Sequence, residues 1–252
     1  MDNPLAPLRG SVGRLHQLTR GLDDAQLEAQ SYCSEWSIAD VLSHIGSGAV
    51  IMRRGLEDVL AGRTTPDDFN PSVWDEWNAK TARAKADDAL VADEAVTEAL
   101  EAVSPEDRAR TAFPMGPLSL DFDHAAAMRL NEHALHTWDI EVVFDDDARL
   151  PHDVAAVVVD NLELIARWAA KPTGAARTIA IRTTDPGRDF AVRLSEDAVE
   201  FVSGAGGSDP DLELPAEALC RLVYGRLDSG HTPDFTGDGS ALDTLREVFP
   251  GF

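Results

Sequence analysis

The sequence predicts an α+β protein in two parts: an up-down helical bundle over residues 1–172 and a smaller α+β domain over 173–252. Three observations carry that expectation. Apolar residues recur at three- and four-residue steps through the first two-thirds of the chain, as on one face of a helix. After Lys171-Pro172-Thr173-Gly174 the period falls to two, as in half-buried strands. Strands and helices that come in separate runs, rather than alternating, suit an α+β arrangement.

The first stripe is Leu5, Leu8, Val12, Leu15 and Leu18, and Gly21 before Asp23 and Asp24 marks a stop and a new start. Ser37 is placed as an N-cap, with Asp40 in the capping-box position. Ile38, Val41, Leu42, Ile45, Met52, Leu56, Val59 and Leu60 continue that helix to Gly62. A third helical segment is expected from about Pro71 to 103, broken near Asp87 and Asp88. The segment 110–120, with two prolines and a glycine, reads as a connection. A fourth helix should span about Leu120 to Phe144, and a fifth should follow DDDARLPHD and end near Ala170. TIAIRTT (178–184), DFAVRL (189–194) and AVEFVSG (198–204) alternate as strands, with Pro186-Gly187 as a hairpin turn. Leu212 to Leu214 suggests a fourth short strand. Residues 215–227 and 240–249 read as helices, the second opened by Ser240.

Charge excludes some functions. The chain has 252 residues and 22 Lys+Arg against 45 Asp+Glu, a formal charge of −23. Neutralising phosphates needs a cationic face, so neither a nucleic acid nor an anionic membrane surface is expected as a partner. Hydrophobic residues make up 44%, enough for a buried core, so the acidic excess does not mark a disordered chain. No apolar stretch approaches the ~20 residues of a membrane span. MDNPLAPLRG shows no secretory pattern, and two distant cysteines, Cys33 and Cys220, suit reduced thiols. A cytoplasmic location is expected.

The chemistry rests on histidine placement. Glu132 and His136 are four apart in RLNEHALHTWDI, so both project from one helix face. A carboxylate and an imidazole so placed make a two-ligand unit for a divalent metal, and a third ligand from a facing helix would leave an open position. His44, mid-helix in EWSIADVLSHIG, is the best candidate for that ligand, although a lone histidine on an apolar face is more often a core residue. His133 points about 100° away from Glu132, and His124 roughly 80°, the latter only a reserve. His16, His152 and His231 read as surface or loop residues.

WSIADVLSHIG and NEHALHTWDI together resemble the mycothiol-dependent maleylpyruvate isomerase family of the DinB-like four-helix-bundle superfamily. The first block carries Trp36, Asp40 and His44 as W-x3-D-x3-H. The second carries Glu132, His136, Trp138 and Asp139 as E-x3-H-x-W-D. LCRLVYGRLDSG and TGDGSALDTLREVFPGF are similar to the family's second, sterol-carrier-like domain. The resemblance implies zinc bound by His44, Glu132 and His136, with mycothiol taking the open position as a thiolate. That thiolate would add to the double bond of maleylpyruvate and leave after rotation, giving fumarylpyruvate. Relatives instead transfer the thiol to an electrophile, so a mycothiol S-transferase is an alternative. A third reading is a non-catalytic metal- or ligand-binding protein of the same fold.

An arginine of the second domain is also implied. Arg226 in YGRL matches best and could hold a substrate carboxylate, with Arg221 as the nearby alternative. Trp36 and Trp138 are expected to pack the bundle. Asp40 either orients His44 or serves only the capping box, and Asp139 is either a support to the ligands or solvated. Nothing in the sequence marks Cys33 as a nucleophile.

Overall fold

The computed structural model describes residues 3–115, 118–205 and 209–251. The chain divides into two compact units, one of Asn3–Ala148 and one from Arg149 onward.

Four long helices build the first unit: α1 (Leu5–Thr19), α3 (Ile38–Leu60), α5 (Ala82–Glu101) and α7 (Phe122–Glu141). Shorter helices α2 (Asp24–Leu27), α4 (Phe69–Asn78) and α6 (Pro105–Arg110) join them. Helix α1 packs on α5 and α7, and α3 packs on the same two, which closes a four-helix ring. Its core includes Leu15, Ile38, Leu42, Ile45, Trp77 and Ala89. Every expected residue of the α1 stripe except the partly buried Leu18 is buried.

Local chemistry sets the helix starts. Asp23 forms a capping box with Gln26, and Ser37 forms the expected one with Asp40. The break expected at Asp87 and Asp88 falls earlier, between α4 and α5. Thr81 caps the Ala84 amide there, whereas Asp87 and Asp88 lie exposed on an unbroken helix. The segment expected as a plain connection is a β-hairpin: β1 (Ala112–Met115) pairs antiparallel with β2 (Leu118–Asp121). Gly116 and Pro117 of that segment lie outside the described residues.

The second unit holds α8 (His152–Asp160), α9 (Leu162–Ala169) and a five-stranded sheet. The expected single fifth helix is therefore two helices, parted at Asn161. Both belong to the second unit, so the compact units part at Ala148/Arg149 rather than at the composition shift near 172. Strands β3 (Arg177–Thr184), β4 (Arg188–Leu194) and β5 (Val199–Ser203) form the expected meander. Strand β6 (Leu212–Pro215) lies parallel to β3, and β7 (Thr236–Gly237), which the sequence reading lacked, closes the order β5-β4-β3-β6-β7. Helices α10 (Ala216–Val223) and α11 (Gly239–Val248) complete the unit. Asp238, not Ser240, caps α11, its carboxylate accepting from the Ser240 amide. The architecture is α+β, a helical N-terminal region followed by a sheet-containing one. Among the described residues no helix is long and apolar enough to cross a membrane.

Candidate metal centre

His44 and the Glu132–His136 pair meet because α3 and α7 are fastened together one residue from His44. Arg129 of α7 donates from Nη2 to the Ile45 carbonyl at 3.0 Å, and also to Asp93 of α5. Asp93 in turn lies 3.0 Å from His133 Nε2, whose Nδ1 is 2.8 Å from Ser11 Oγ of α1. Asp93, Arg129 and His133 are all buried, so a polar network ties three helices to α7 inside the bundle. His133 is thereby committed to the core and stands outside the His44–Glu132–His136 cluster.

Close packing at Gly46 lets α3 approach its neighbours. A Cβ there would stand 2.3 Å from the Trp77 ring and 2.9 Å from Ala89 Cα, so only glycine fits. His44 sits two residues before this contact, on the half-exposed side of α3.

The three expected ligands come together. One donor atom from each of His44, Glu132 and His136 lies within 4.8 Å of the others. His44 Nε2 is 3.3 Å from Glu132 Oε2, and His136 Nε2 is 3.8 Å from the same oxygen. Ligands bonded at about 2.0–2.2 Å to one tetrahedral zinc stand about 3.3–3.6 Å apart, so the 3.3 Å pair matches a shared ion and the 3.8 Å pair would close by a few tenths of an ångström around it. Two nitrogens and one carboxylate oxygen are also a donor set that zinc accepts. The side chains of His44 and Glu132 are 41% and 42% exposed, so an ion held there would be reachable by a small molecule.

His136 is the deep member, its side chain only 11% exposed. Its Nδ1 lies 2.7 Å from Oδ2 of the fully buried Asp139. Cys33 Sγ donates to that same oxygen at 3.1 Å, and the Tyr32 amide donates to the Asp139 carbonyl at 3.0 Å. Asp139 is therefore held against His136 and is not solvated. Its signal in the sequence was position, three residues past His136 and so on the same side of the helix. The signal for Cys33 was weaker, its place just before the Trp36 motif, because a loop and not a helix brings it there.

Trp36 packs against the core as expected, but its ring also lies 5.1 Å from that of His44 and 5.8 Å from that of His136. Trp138 packs as expected, 1% exposed, donating to the Ala148 carbonyl at 3.0 Å and meeting the Tyr32 ring edge-on at 4.8 Å. Of the two readings of Asp40, the structure supports the cap: its carboxylate accepts from Ser37 and pairs with Lys85 at 2.7 Å. His124 bonds Asp121 at 2.8 Å and stands outside the cluster.

In the second unit, Arg221 is buried and grips Glu217 with both arms, at 2.8 and 2.9 Å. Arg226, 8% exposed, donates from Nη1 to the Tyr224 carbonyl at 2.8 Å.

The fold and site define a four-helix-bundle protein with a candidate His–Glu–His metal cluster, followed in the chain by an α+β unit. Residues 8–141 match the family model described as the mycothiol maleylpyruvate isomerase N-terminal domain. The chain belongs to that family. Two solved structures share its fold, both crystal structures of the mycothiol-dependent maleylpyruvate isomerase, the first of a mutant form. The mutant gives a TM-score of 0.66 at 12% identity, covering 92% of this chain and 91% of that one. The other gives 0.65 at 14% identity, covering 93% and 95%. A sequence search finds no significant match among curated proteins.

Proposed function

We propose that this chain is a cytoplasmic, mycothiol-using enzyme whose metal ion is zinc, held by His44, Glu132 and His136. The proposed reaction is cis–trans isomerisation of maleylpyruvate. One observation carries the reading: a zinc-compatible donor trio, with its atoms within 4.8 Å, lies inside the region matched by the family model. Bound zinc lowers the pKa of a coordinated thiol and so supplies a thiolate at neutral pH.

The chain's own residues orient and enclose. His44 and Glu132 offer ligand atoms from facing helices, and their exposure admits a small molecule. His136 offers Nε2 while its other nitrogen is held by Asp139. Trp36 stands against both imidazoles and keeps water from that side of the ligand rings. Arg226 is proposed for a substrate carboxylate on its place in the YGRL motif, with Arg221 as the alternative.

Mass spectrometry after incubation with mycothiol and maleylpyruvate tests this directly. The reading expects fumarylpyruvate to accumulate with the thiol unconsumed. Stoichiometric loss of thiol into a conjugate would instead establish an S-transferase. Zinc binding without either product would leave a non-catalytic metal-binding protein.

A further inference from the structure

Behind the ligand trio lies a second set of groups that shares only His136 with it. Cys33, His136 and Asp139 also bring one donor atom each within 4.8 Å. The separations differ from those of the first trio. His136 Nδ1 to Asp139 Oδ2 is 2.7 Å, and Cys33 Sγ to the same oxygen is 3.1 Å. These are hydrogen-bond lengths; a common ion at zinc's bond lengths would hold ligand atoms about 3.3 Å or more apart. The second set is therefore a hydrogen-bonded chain and not another cation site.

We propose that Asp139 and Cys33 are positioning residues for the metal centre, a relay that fixes the tautomer and ring angle of His136. With Nδ1–H donated to the Asp139 carboxylate, the His136 lone pair resides on Nε2, the nitrogen that faces Glu132. Cys33 gives the accepting oxygen a second donor and stops it from swinging. The peptide at Tyr32 clamps the other end of the same residue, through the Asp139 carbonyl. Backbone bonds inside the loop fix the cysteine: Trp36 N donates to Cys33 O, Ser31 N to Trp36 O, and Ile38 N to Ala29 O. One short loop thus delivers both the Trp36 ring and the Cys33 thiol, and ends in the Ser37 cap of the helix that carries His44. The loop and the ligands form one preorganised unit.

The inference rests on the metal-centre reading, and its test separates the two. Zinc affinity of the full chain is measured by competition with a chromophoric chelator, with thermal melts of the zinc-free proteins alongside. Asp139→Asn should weaken zinc roughly 10- to 100-fold, the usual cost of losing a ligand's outer hydrogen-bond partner. Cys33→Ala should weaken it several-fold, and Cys33→Ser, which keeps a donor, should restore most of the loss. The visible spectrum of the cobalt-substituted protein should shift in Asp139→Asn and Cys33→Ala but not in Cys33→Ser. Imidazole nitrogen NMR of the zinc-loaded parent supplies a readout that needs no variant, with Nδ1 protonated and Nε2 on the metal. Zinc affinities within about twofold of the parent for both Asp139→Asn and Cys33→Ala would overturn the relay. So would coordination of His136 through Nδ1. A parent that binds no zinc would overturn the metal-centre reading itself.

Discussion

Replacing Asp93 by asparagine removes the negative charge from a buried cluster that fastens α7 to the bundle. The carboxylate accepts from Arg129 on one oxygen and lies 3.0 Å from His133 Nε2 on the other. The side chains of Asp93 and His133 are fully buried, and that of Arg129 is 5% exposed. An asparagine keeps the shape and one accepting oxygen but leaves the guanidinium buried without a counter-charge. Breaking a buried pair in this way costs about 3–5 kcal/mol. For a chain of this size each kcal/mol corresponds to about 2–4 °C, so Tm should fall by roughly 6–20 °C. Urea denaturation followed by tryptophan fluorescence reads the change, since Trp77 and Trp138 are both buried in the same unit.

Acid sharpens the test. Burial alone would raise the Asp93 pKa, but His133 and Arg129 reverse that and hold it below the ordinary 3.8. A carboxylate with a depressed folded pKa contributes stability that is full above its unfolded value and is lost as pH falls through the folded one. The advantage of the parent over Asp93→Asn should therefore be constant above pH 3.8 and shrink below it. A difference under about 1 kcal/mol at neutral pH would refute the reasoning, because that is no more than an exposed ion pair contributes.

Three further outcomes follow from the packing. Gly46→Ala places a methyl into the Trp77 ring and against Ala89, so it should destabilise by about 1–3 kcal/mol or more in a urea melt. It should also weaken metal binding, because it displaces α3 two residues from His44. Ser37→Ala removes the capping box of α3 and should cost about 0.5–2 kcal/mol, with Ser37→Asp restoring most of it. Alkylation at pH 8 should label Cys33 and spare Cys220, whose thiol is fully buried and pushed up by that burial. Peptide mass mapping would contradict this if both thiols reacted at similar rates in the folded protein.

The helices were most legible where an apolar stripe or a capping box marks them clearly. Ser37 with Asp40, and the stripe from Leu5 to Leu15, fix α3 and α1 by local chemistry alone. The candidate trio was legible in part for the same reason: helical spacing sets Glu132 beside His136, and His44, mid-helix on a separate apolar stretch, was the best third candidate before the resemblance added weight to it. Boundaries set by weaker or distant forces were not legible. Thr81 outcompeted the Asp87–Asp88 pair as a start signal, because exposed acids on a helix surface break nothing. The short β7 exists only because β6 offers it an edge, an interaction between segments over 20 residues apart. Cys33, just before the Trp36 motif, could be read as near the site, but its bond to Asp139 could not, because that depends on how the loop folds back. Spacing along a helix can be read directly, whereas a contact made through a loop emerges only from the three-dimensional fold.

The central claim is that His44, Glu132 and His136 hold a single zinc ion. Elemental analysis of the purified full-length chain, beside His44→Ala and His136→Ala, measures it most directly. The account predicts about one zinc per parent chain and less than about a tenth of that in either variant, since three protein ligands leave no redundancy. A zinc-free parent that stays empty after incubation with the metal would contradict it, as would full retention of zinc by both variants.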